Sequence, residues 1–213
     1  TEDGRRAMRD AVERYDLDVP AVSTTINWEY PLSSSDDDVR RRGVEIGREM
    51  IDAASVLGAD EILLVPARIE AGADYEAAYE RAVESTRELA RYGSDVGVTV
   101  AVENVQNDFL YSPQEFRTFV ERVESAGPVS VYFDVGNGLR WGLPDRWIRE
   151  LDEYISRVHV KDWLVDAHRV TYPLQGDVDW ASVTEAIDAI DYDGWITAEV
   201  PPYPSHPRRM PRQ

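Results

Sequence analysis

Four predicted β-strands end in side chains that are able to bind a metal ion. Each follows β-branched or aromatic residues expected to be buried, and the four are Glu103, Asp134, His159 and Glu199. A lone buried carboxylate is unfavourable, because it loses its hydration without gaining a partner. Three carboxylates and an imidazole brought to one point would repel each other unless a cation lay between them. This ligand set, which has no thiolate, predicts a divalent metal site for Mn²⁺, Mg²⁺, Co²⁺ or Zn²⁺.

Taken singly, each of these residues has an ordinary structural explanation. A carboxylate at a strand end is more often a helix cap or a solvated loop residue, and a lone histidine is more often structural. The agreement of four strand ends in one chemistry is what favours the metal site. His168 and His206 lie in predicted loops, and we assign no role to them.

A single lysine stands two residues after the predicted histidine ligand. Lys161 is the only lysine among 23 basic residues, so arginine supplies every other positive side chain. Chance placement is one explanation. The functional explanation is a compact ammonium that reaches a substrate oxygen or steadies a neighbouring carboxylate. The adjacent Asp162 is predicted to orient His159 or to bind substrate.

The predicted strands alternate with helices along the whole chain. The strand candidates are residues 19–26, 61–65, 98–103, 129–134, 157–160 and 195–200. Such alternation gives parallel strands with right-handed crossovers. The spacing suits a (β/α)8 barrel, which uses roughly 31 residues per unit, and it also suits an open doubly wound sheet. Phosphate-binding loops that would favour the open sheet are absent, since Trp141 stands where the third glycine of a dinucleotide fingerprint would be.

Capping residues mark where the predicted helices begin and end. The predicted boundaries are a start at Ser35 with an end at Gly58, an end near Gly93, a capping box over 112–115, and starts at Pro144 and Asp179. The aromatic residues of these helices are expected to lie in the core, and they are Tyr75, Phe116, Phe119 and Trp147. The proline-rich end, 201–213, shows no clear helix.

The composition is strongly acidic. The 213 residues include 41 Asp and Glu, which gives a net charge of -18. A field of this sign repels nucleic-acid phosphates and anionic membranes, so neither is an expected partner. The acidic excess and the scarcity of lysine favour a halophilic protein, in which salt screens the charge. The absence of cysteine fits a reducing cytoplasm.

Several segments around these residues resemble the xylose-isomerase-like TIM-barrel superfamily, and within it the sugar phosphate isomerase/epimerase group. The resemblance covers about residues 18–203, and the segments that carry it are 28–34, 103–104, 132–137, 159–162, 176–180 and 197–200. It implies an α/β fold, the (β/α)8 TIM barrel. It also implies one divalent metal ion held by the four strand-end residues named above.

The resemblance further implies a reaction on a small-molecule sugar. In the epimerases of this family two glutamates flank a ketose or ketose phosphate, and they exchange a proton through a cis-enediolate. The positions that match are Glu103 and Glu199. Lys161, singled out above as the only lysine, is expected to be a further catalytic residue. The expected substrate contacts are Trp28, Asn104, Asn137 and Asp162.

Departures from the epimerase pattern leave other functions open. Asn137 stands where tagatose-type epimerases carry a histidine, and the arginine that grips substrate after the metal histidine has no counterpart. A metal-dependent dehydratase of an inosose or a related cyclic polyol is one alternative. A non-catalytic, sugar-binding barrel remnant is another. The AP endonucleases of this superfamily need several further histidines, which three histidines in total do not supply.

The domain is expected to be a single one, over 1–213, that lacks the first two strands of the barrel. Six parallel strands would then remain, with apolar edges at 19–26 and 195–200. Exposed edges favour pairing with another chain. We expect an N-terminally truncated chain, and the alternative is a gap filled by a partner, as in a homo-oligomer.

Overall fold

The computed structural model describes residues 1–201, so the predicted irregular end, 201–213, lies almost wholly outside the described residues. The strands are β1 Glu61–Leu64, β2 Thr99–Glu103, β3 Val129–Asp134, β4 Ile155–Val160, β5 Asp162–Leu164, β6 Arg169–Thr171 and β7 Trp195–Ala198. The helices are α1 Glu2–Arg14, α2 Asp37–Leu57, α3 Tyr75–Val96, α4 Pro113–Glu124, α5 Val135–Trp141, α6 Pro144–Leu151 and α7 Trp180–Ala189.

Five parallel strands form one sheet in the order β1-β2-β3-β4-β7, and this sheet curls as part of a TIM barrel. Successive side chains of a strand point to opposite faces. In β1, Ile62 and Leu64 therefore join a core cluster with α2 and α3, whereas Leu63 belongs to a separate cluster. The register places Asp134 beside His159, so the C-terminal ends of the strands share one rim.

The segment 19–26 does not form a full strand, so the prediction of six strands is wrong by one. It makes a single parallel bridge between Val22 and Ile62 and then turns into a 3-10 helix at Ile26–Trp28. Two features of its sequence account for this. Pro20 has no N–H group for a ladder, and the hydroxyl groups of 23–25 favour local turns over strand pairing.

Two elements at the rim were not predicted. Helix α5 follows β3 without a loop, because the Asp134 side chain accepts a hydrogen bond from the Asn137 N–H at 2.7 Å and caps the helix. Strands β5 and β6 form an antiparallel hairpin directly after β4. Both elements are short, and each follows a buried strand so closely that no periodic pattern of its own is visible in the sequence.

Helix boundaries mostly follow the predicted caps, with two corrections. Asp36, not Ser35, caps α2, since its carboxylate accepts hydrogen bonds from two N–H groups of the first turn. Helix α3 runs past Gly93 to a left-handed Gly97. The predicted end at Gly58 is confirmed, and so are the predicted starts at Ser112, Pro144 and Asp179. In residues 1–201, no helix combines the length and the apolar character needed to cross a bilayer.

The main core lies between the sheet and the helices that cover it. Phe116, Phe119 and Trp147 are buried there as predicted, with Tyr75 packed against them. Burial of each large side chain contributes about 1.5–3 kcal/mol. Strand β7 lies at the edge predicted for 195–200, but the residues before Glu199 are not buried as expected, since Trp195 and Ile196 are 47% and 52% exposed. It is an edge of the sheet, and no other strand of the described chain pairs with its free side.

Candidate metal centre and active site

The four predicted metal ligands converge at the rim of the sheet. Each of Glu103, Asp134, His159 and Glu199 offers one ligand atom, and these atoms all lie within 4.8 Å of one another. The first three are buried and Glu199 is exposed. Glu199 follows β7 by one residue, and its N–H continues the ladder by donating to the Val160 carbonyl at 3.1 Å.

Asp134 is the best-anchored member of the cluster. It is fully buried, and Oδ1 accepts from the Asn137 N–H at the start of α5. Asn104 fixes the backbone of the same residue, because its side-chain amide donates to the Asp134 carbonyl and accepts from the Asp134 N–H, at 2.9 and 2.7 Å. The Asn137 amide in turn donates to the Asn104 carbonyl at 2.9 Å. The ends of β2 and β3 are thereby locked together.

His159 lies between the two carboxylates of neighbouring strands. Its Nδ1 is 2.9 Å from Glu103 Oε1 and 3.9 Å from Asp134 Oδ2. The Tyr132 ring packs against the imidazole with a centroid distance of 4.3 Å. These contacts fix the ring on the inner face of the sheet, so the imidazole is held ready to act as a ligand.

Lys161 contacts two of the candidate ligands. Its Nζ is 3.0 Å from Asp134 Oδ2 and donates a short hydrogen bond to Glu199 Oε2. The residue is only 7% exposed, so its stem is packed inside the protein and only the ammonium faces the cluster. Helix α5 passes so close that a Cβ on Gly136 would lie 2.6 Å from Lys161 Cγ. The glycine is what allows the lysine to occupy this position.

Burial and mutual attraction shift the pKa values of this group. Burial raises the pKa of Asp134 to about 7, against the opposing pull of Lys161. For Lys161 and His159, burial lowers the pKa, but the neighbouring carboxylates outweigh it and the net pKa is raised. Burial also acts to raise the pKa of Glu199, yet the hydrogen bond from Lys161 prevails and the net pKa is lowered. Lys161 therefore holds Glu199 in its ionised form.

The cluster fits a divalent cation. Asp134 Oδ2 is buried and makes no hydrogen bond, although the Lys161 ammonium is near it. An acceptor in this state has a lone pair that a metal ion would use. Three carboxylates and one imidazole are the oxygen and nitrogen ligands that Mn²⁺, Mg²⁺, Co²⁺ and Zn²⁺ accept.

A cavity of about 410 Å³ opens above this cluster. Its walls hold Glu103, His159, Lys161 and Glu199, and they also include Ser23, Thr24, Thr25, Trp28, Leu63, Val65, Val105, Gln106, Asn137, Trp163 and Val170. Two predicted substrate contacts, Trp28 and Asn137, therefore line the cavity. Asn104 does not, because its amide is taken up by the backbone of Asp134.

The expectation that Asp162 binds substrate or orients His159 is wrong. Asp162 is fully buried, and its carboxylate accepts hydrogen bonds from the N–H groups of Trp163 and Val178 and from the Trp180 indole. Both oxygens are used as acceptors, and the buried carboxylate does not line the cavity. The residue instead ties the β5–β6 hairpin to the start of α7, and this places Trp163 in the cavity wall.

Sequence reasoning missed one wall of the cavity. Ser23, Thr24 and Thr25 lie where the chain leaves its bridge with β1. The available signal was the same one that located the metal ligands, namely polar residues at the C-terminal end of a predicted strand. Trp163 and Val170 had no such signal, because they belong to the unpredicted hairpin.

Comparison with known proteins identifies the family of this chain. The profile of the xylose isomerase-like TIM barrel family matches residues 1–212. The chain belongs to that family. The resemblance inferred from the sequence motifs and the TIM-barrel fold class are thereby confirmed.

Relatives within the family include sugar epimerases. The L-ribulose-5-phosphate 3-epimerase UlaE of Escherichia coli O157:H7 is 27% identical over 201 residues, which span 89% of this chain and 67% of the relative. A solved D-tagatose 3-epimerase-like protein matches with a TM-score of 0.81 at 20% identity, over 93% of this chain and 76% of the other. D-allulose 3-epimerase from Methylomonas sp. matches with a TM-score of 0.78 at 22% identity, over 92% and 68%. The chain is therefore an isomerase/epimerase-like enzyme of this family.

Proposed function

We propose that this chain is a metal-dependent epimerase of a ketose or a ketose phosphate, with Glu103 and Glu199 as its acid/base pair. The observation that carries the proposal is the convergence of Glu103, Asp134, His159 and Glu199 at one cavity, which all of them line except the fully buried Asp134. The epimerase relatives support it. The partner implied is a small-molecule sugar.

The two glutamates reach the centre from different parts of the sheet. Glu103 ends β2 and Glu199 follows β7, and two strands, β3 and β4, lie between them. A sugar lying over the centre would present one face to each carboxylate. That arrangement is what inversion at a carbon requires, because the proton must leave from one face and return to the other.

A divalent ion bound by the four ligands would supply Lewis-acid polarisation of a sugar carbonyl. The chain itself supplies the proton carriers. Glu199, held ionised by Lys161, would accept the proton from the carbon beside the carbonyl. Glu103, steadied by His159, would hold the proton that is returned to the opposite face. The walls formed by Trp28 and Trp163 would limit the access of water to the reacting carbon.

The proposal is tested with a panel of ketoses and ketose phosphates in deuterated water, using protein loaded with Mn²⁺ or Co²⁺. An epimerase incorporates deuterium beside the carbonyl and inverts that carbon. Loss of water without inversion would identify a dehydratase of a cyclic polyol or inosose instead. If sugars bind but no exchange occurs with any metal, the chain is a binding remnant and the proposal fails.

A further inference from the structure

We propose that Lys161 is an internal cation of the metal-free protein, and that a divalent ion displaces its ammonium from Asp134 and Glu199 when it binds. The inference goes beyond the proposed function, because it concerns how the site is filled and not which reaction follows. It has a direct consequence for affinity. A displaced lysine competes with the metal ion and lowers metal affinity, whereas a lysine that only orients the ligands would raise it.

The ammonium lies inside the candidate ligand cluster. Lys161 Nζ is 3.0 Å from Asp134 Oδ2 and donates a short hydrogen bond to Glu199 Oε2. Both carboxylates belong to the set whose ligand atoms all lie within 4.8 Å of one another. Carboxylates packed this closely repel each other unless a positive charge lies between them. The ammonium supplies that charge to two of them, which is part of what a divalent ion would do.

Asp134 has one oxygen available for a cation. Its Oδ1 accepts the Asn137 N–H at 2.7 Å and caps α5, and Asn104 clamps the backbone of the same residue. The carboxylate is therefore fixed in orientation, with Oδ2 facing Lys161. A divalent ion that binds Asp134 would use this same oxygen. Because two cations at one buried oxygen repel each other strongly where water is excluded, the ammonium has to withdraw.

The lysine has room to withdraw. Lys161 lines the cavity of about 410 Å³, so its ammonium is able to leave the cluster by moving toward the cavity. The side chain is a long flexible stem that ends in a strongly hydrated charge. Its Cγ lies beside Gly136, where a Cβ would be only 2.6 Å away, so the stem is held while its end moves. Glu199 is also free to change partner, because its side chain is 51% exposed.

The metal affinity of Lys161→Met tests the competition. Mn²⁺ binding to the parent and to the variant is measured by calorimetry in the same KCl buffer. We expect the variant to bind Mn²⁺ at least about 10-fold more tightly, because no ammonium has to leave the ligand oxygens. The matched control is Arg140→Met, which removes a cation that contacts the wall residue Gln106 instead of the cluster, and its affinity should change by less than about 3-fold. Equal or weaker binding by Lys161→Met, or an equal gain in Arg140→Met, would overturn the inference.

A second measurement uses the parent protein, so it does not depend on the folding of a variant. Lys161 is the only lysine, and ε-¹⁵N-lysine labelling therefore gives one ammonium signal in an NMR spectrum. In the metal-free protein the two carboxylates should protect its protons from exchange with water, and the signal should be visible. One bound equivalent of Zn²⁺ should expose the ammonium and abolish the signal. A signal that persists with Zn²⁺ bound would overturn the inference.

The outcomes separate this inference from the proposed function. If Zn²⁺ and Mn²⁺ displace the ammonium but no sugar exchanges deuterium, the inference stands and the epimerase proposal fails. If a sugar exchanges deuterium while the ammonium signal persists in the metal-bound protein, the epimerase proposal stands and the inference fails. If neither ion binds, both fail.

Discussion

Asp134 is a fully buried carboxylate that the fold holds in place through its backbone and both of its oxygens. Its backbone is clamped by Asn104, one carboxylate oxygen caps α5, and the other faces Lys161. Burial of such a group is unfavourable, and its pKa is raised to about 7 for that reason. A cation at the cluster would reverse this penalty. At the scale of single residues, the burial of neighbouring carboxylates is therefore unfavourable, and a bound metal ion would offset that cost.

Two replacements of Lys161 distinguish the role of its charge from the role of its size, since methionine removes the charge and arginine keeps it in a wider group. Lys161→Met leaves fully buried Asp134 without its cation, so we expect turnover to fall at least about 100-fold. The metal-free protein should also lose about 1–3 kcal/mol of stability, because Asp134 loses its polar partner and stays buried only by taking up a proton. Lys161→Arg should lower turnover as well, because the wider guanidinium does not fit beside Gly136.

Steady-state kinetics and thermal midpoints, with and without metal, check both Lys161 variants. The control is Arg14→Met, which removes an exposed cation from α1. A Lys161→Arg variant that is as active and as stable as the parent would show that the lysine has no special role.

The raised pKa values of Asp134 and His159 predict how metal binding depends on pH. In the metal-free protein both groups bind protons more tightly than in the unfolded chain. Their contribution to stability is thus present at low pH and is lost as the pH rises through the folded pKa values, near 7 for Asp134. Metal binding requires both groups without their protons, so it strengthens over the same range.

We therefore expect the rise in thermal midpoint caused by Mn²⁺ to be larger at pH 7.5 than at pH 5.5. Thermal scans with and without the metal at both pH values measure this. Asp134→Asn lacks the titrating carboxyl and should show a smaller difference. A stabilisation by Mn²⁺ that is equal at the two pH values in the parent protein would contradict the involvement of these ligands.

At the scale of elements, the sequence is most informative where a strand is fully buried. The bounds of β3 are predicted without error, and the ends of β2 and β4 lie within two residues of the prediction, because their apolar runs stop at a polar rim residue. The segment 19–26 was predicted as a strand but is not one, because it is not fully buried between neighbouring strands. Its apolar residues make one bridge and then support a turn, and the bridge to Ile62 is a tertiary contact that local pattern does not reveal.

In the candidate site too, residues at the ends of buried strands could be predicted, and contacts between distant segments could not. The convergence of the four candidate ligands could be predicted, since strand C-termini share one rim in any parallel α/β fold. The role of Asp162 could not, because its three N–H partners come from a hairpin and a helix start up to 18 residues away. Only the folded arrangement shows that this carboxylate is satisfied internally.

Asp162→Ala should accordingly destabilise the fold by about 2–4 kcal/mol, because three buried or half-buried N–H groups lose their acceptor. Denaturant unfolding measures the loss. Asp166→Ala, in the exposed turn of the same hairpin, serves as the matched control and should stay within about 0.5 kcal/mol of the parent. Equal stability of the two variants would contradict the anchoring role.

At the scale of the whole molecule, charge dominates. A net charge of -18 on 213 residues makes the folded state repel itself in dilute buffer. Arginine–carboxylate pairs such as Arg122–Glu80 and Arg48–Glu88 offset part of this, but exposed pairs contribute little each. Added salt screens the repulsion that remains.

Stability should therefore increase with salt. Between 0.1 and 2 M KCl we expect the thermal midpoint at pH 7 to rise by at least about 5 °C, which corresponds to roughly 2 kcal/mol. Sorbitol at equal osmolality is the control for effects of water activity, and it should give a smaller rise. A midpoint that is flat or falls with KCl would contradict salt adaptation.

The central claim, that two glutamates at one metal centre exchange a proton with a sugar, is tested most directly by Glu199→Gln. Glu199 is half exposed and its amide replacement still offers an oxygen, so we expect the fold and Mn²⁺ binding to persist. Deuterium incorporation into the ketose, measured by mass spectrometry, should fall by about 10²–10⁴-fold, because an amide does not carry the proton. Glu185→Gln, on the exposed face of α7, should exchange like the parent. Parental exchange in Glu199→Gln would contradict the account.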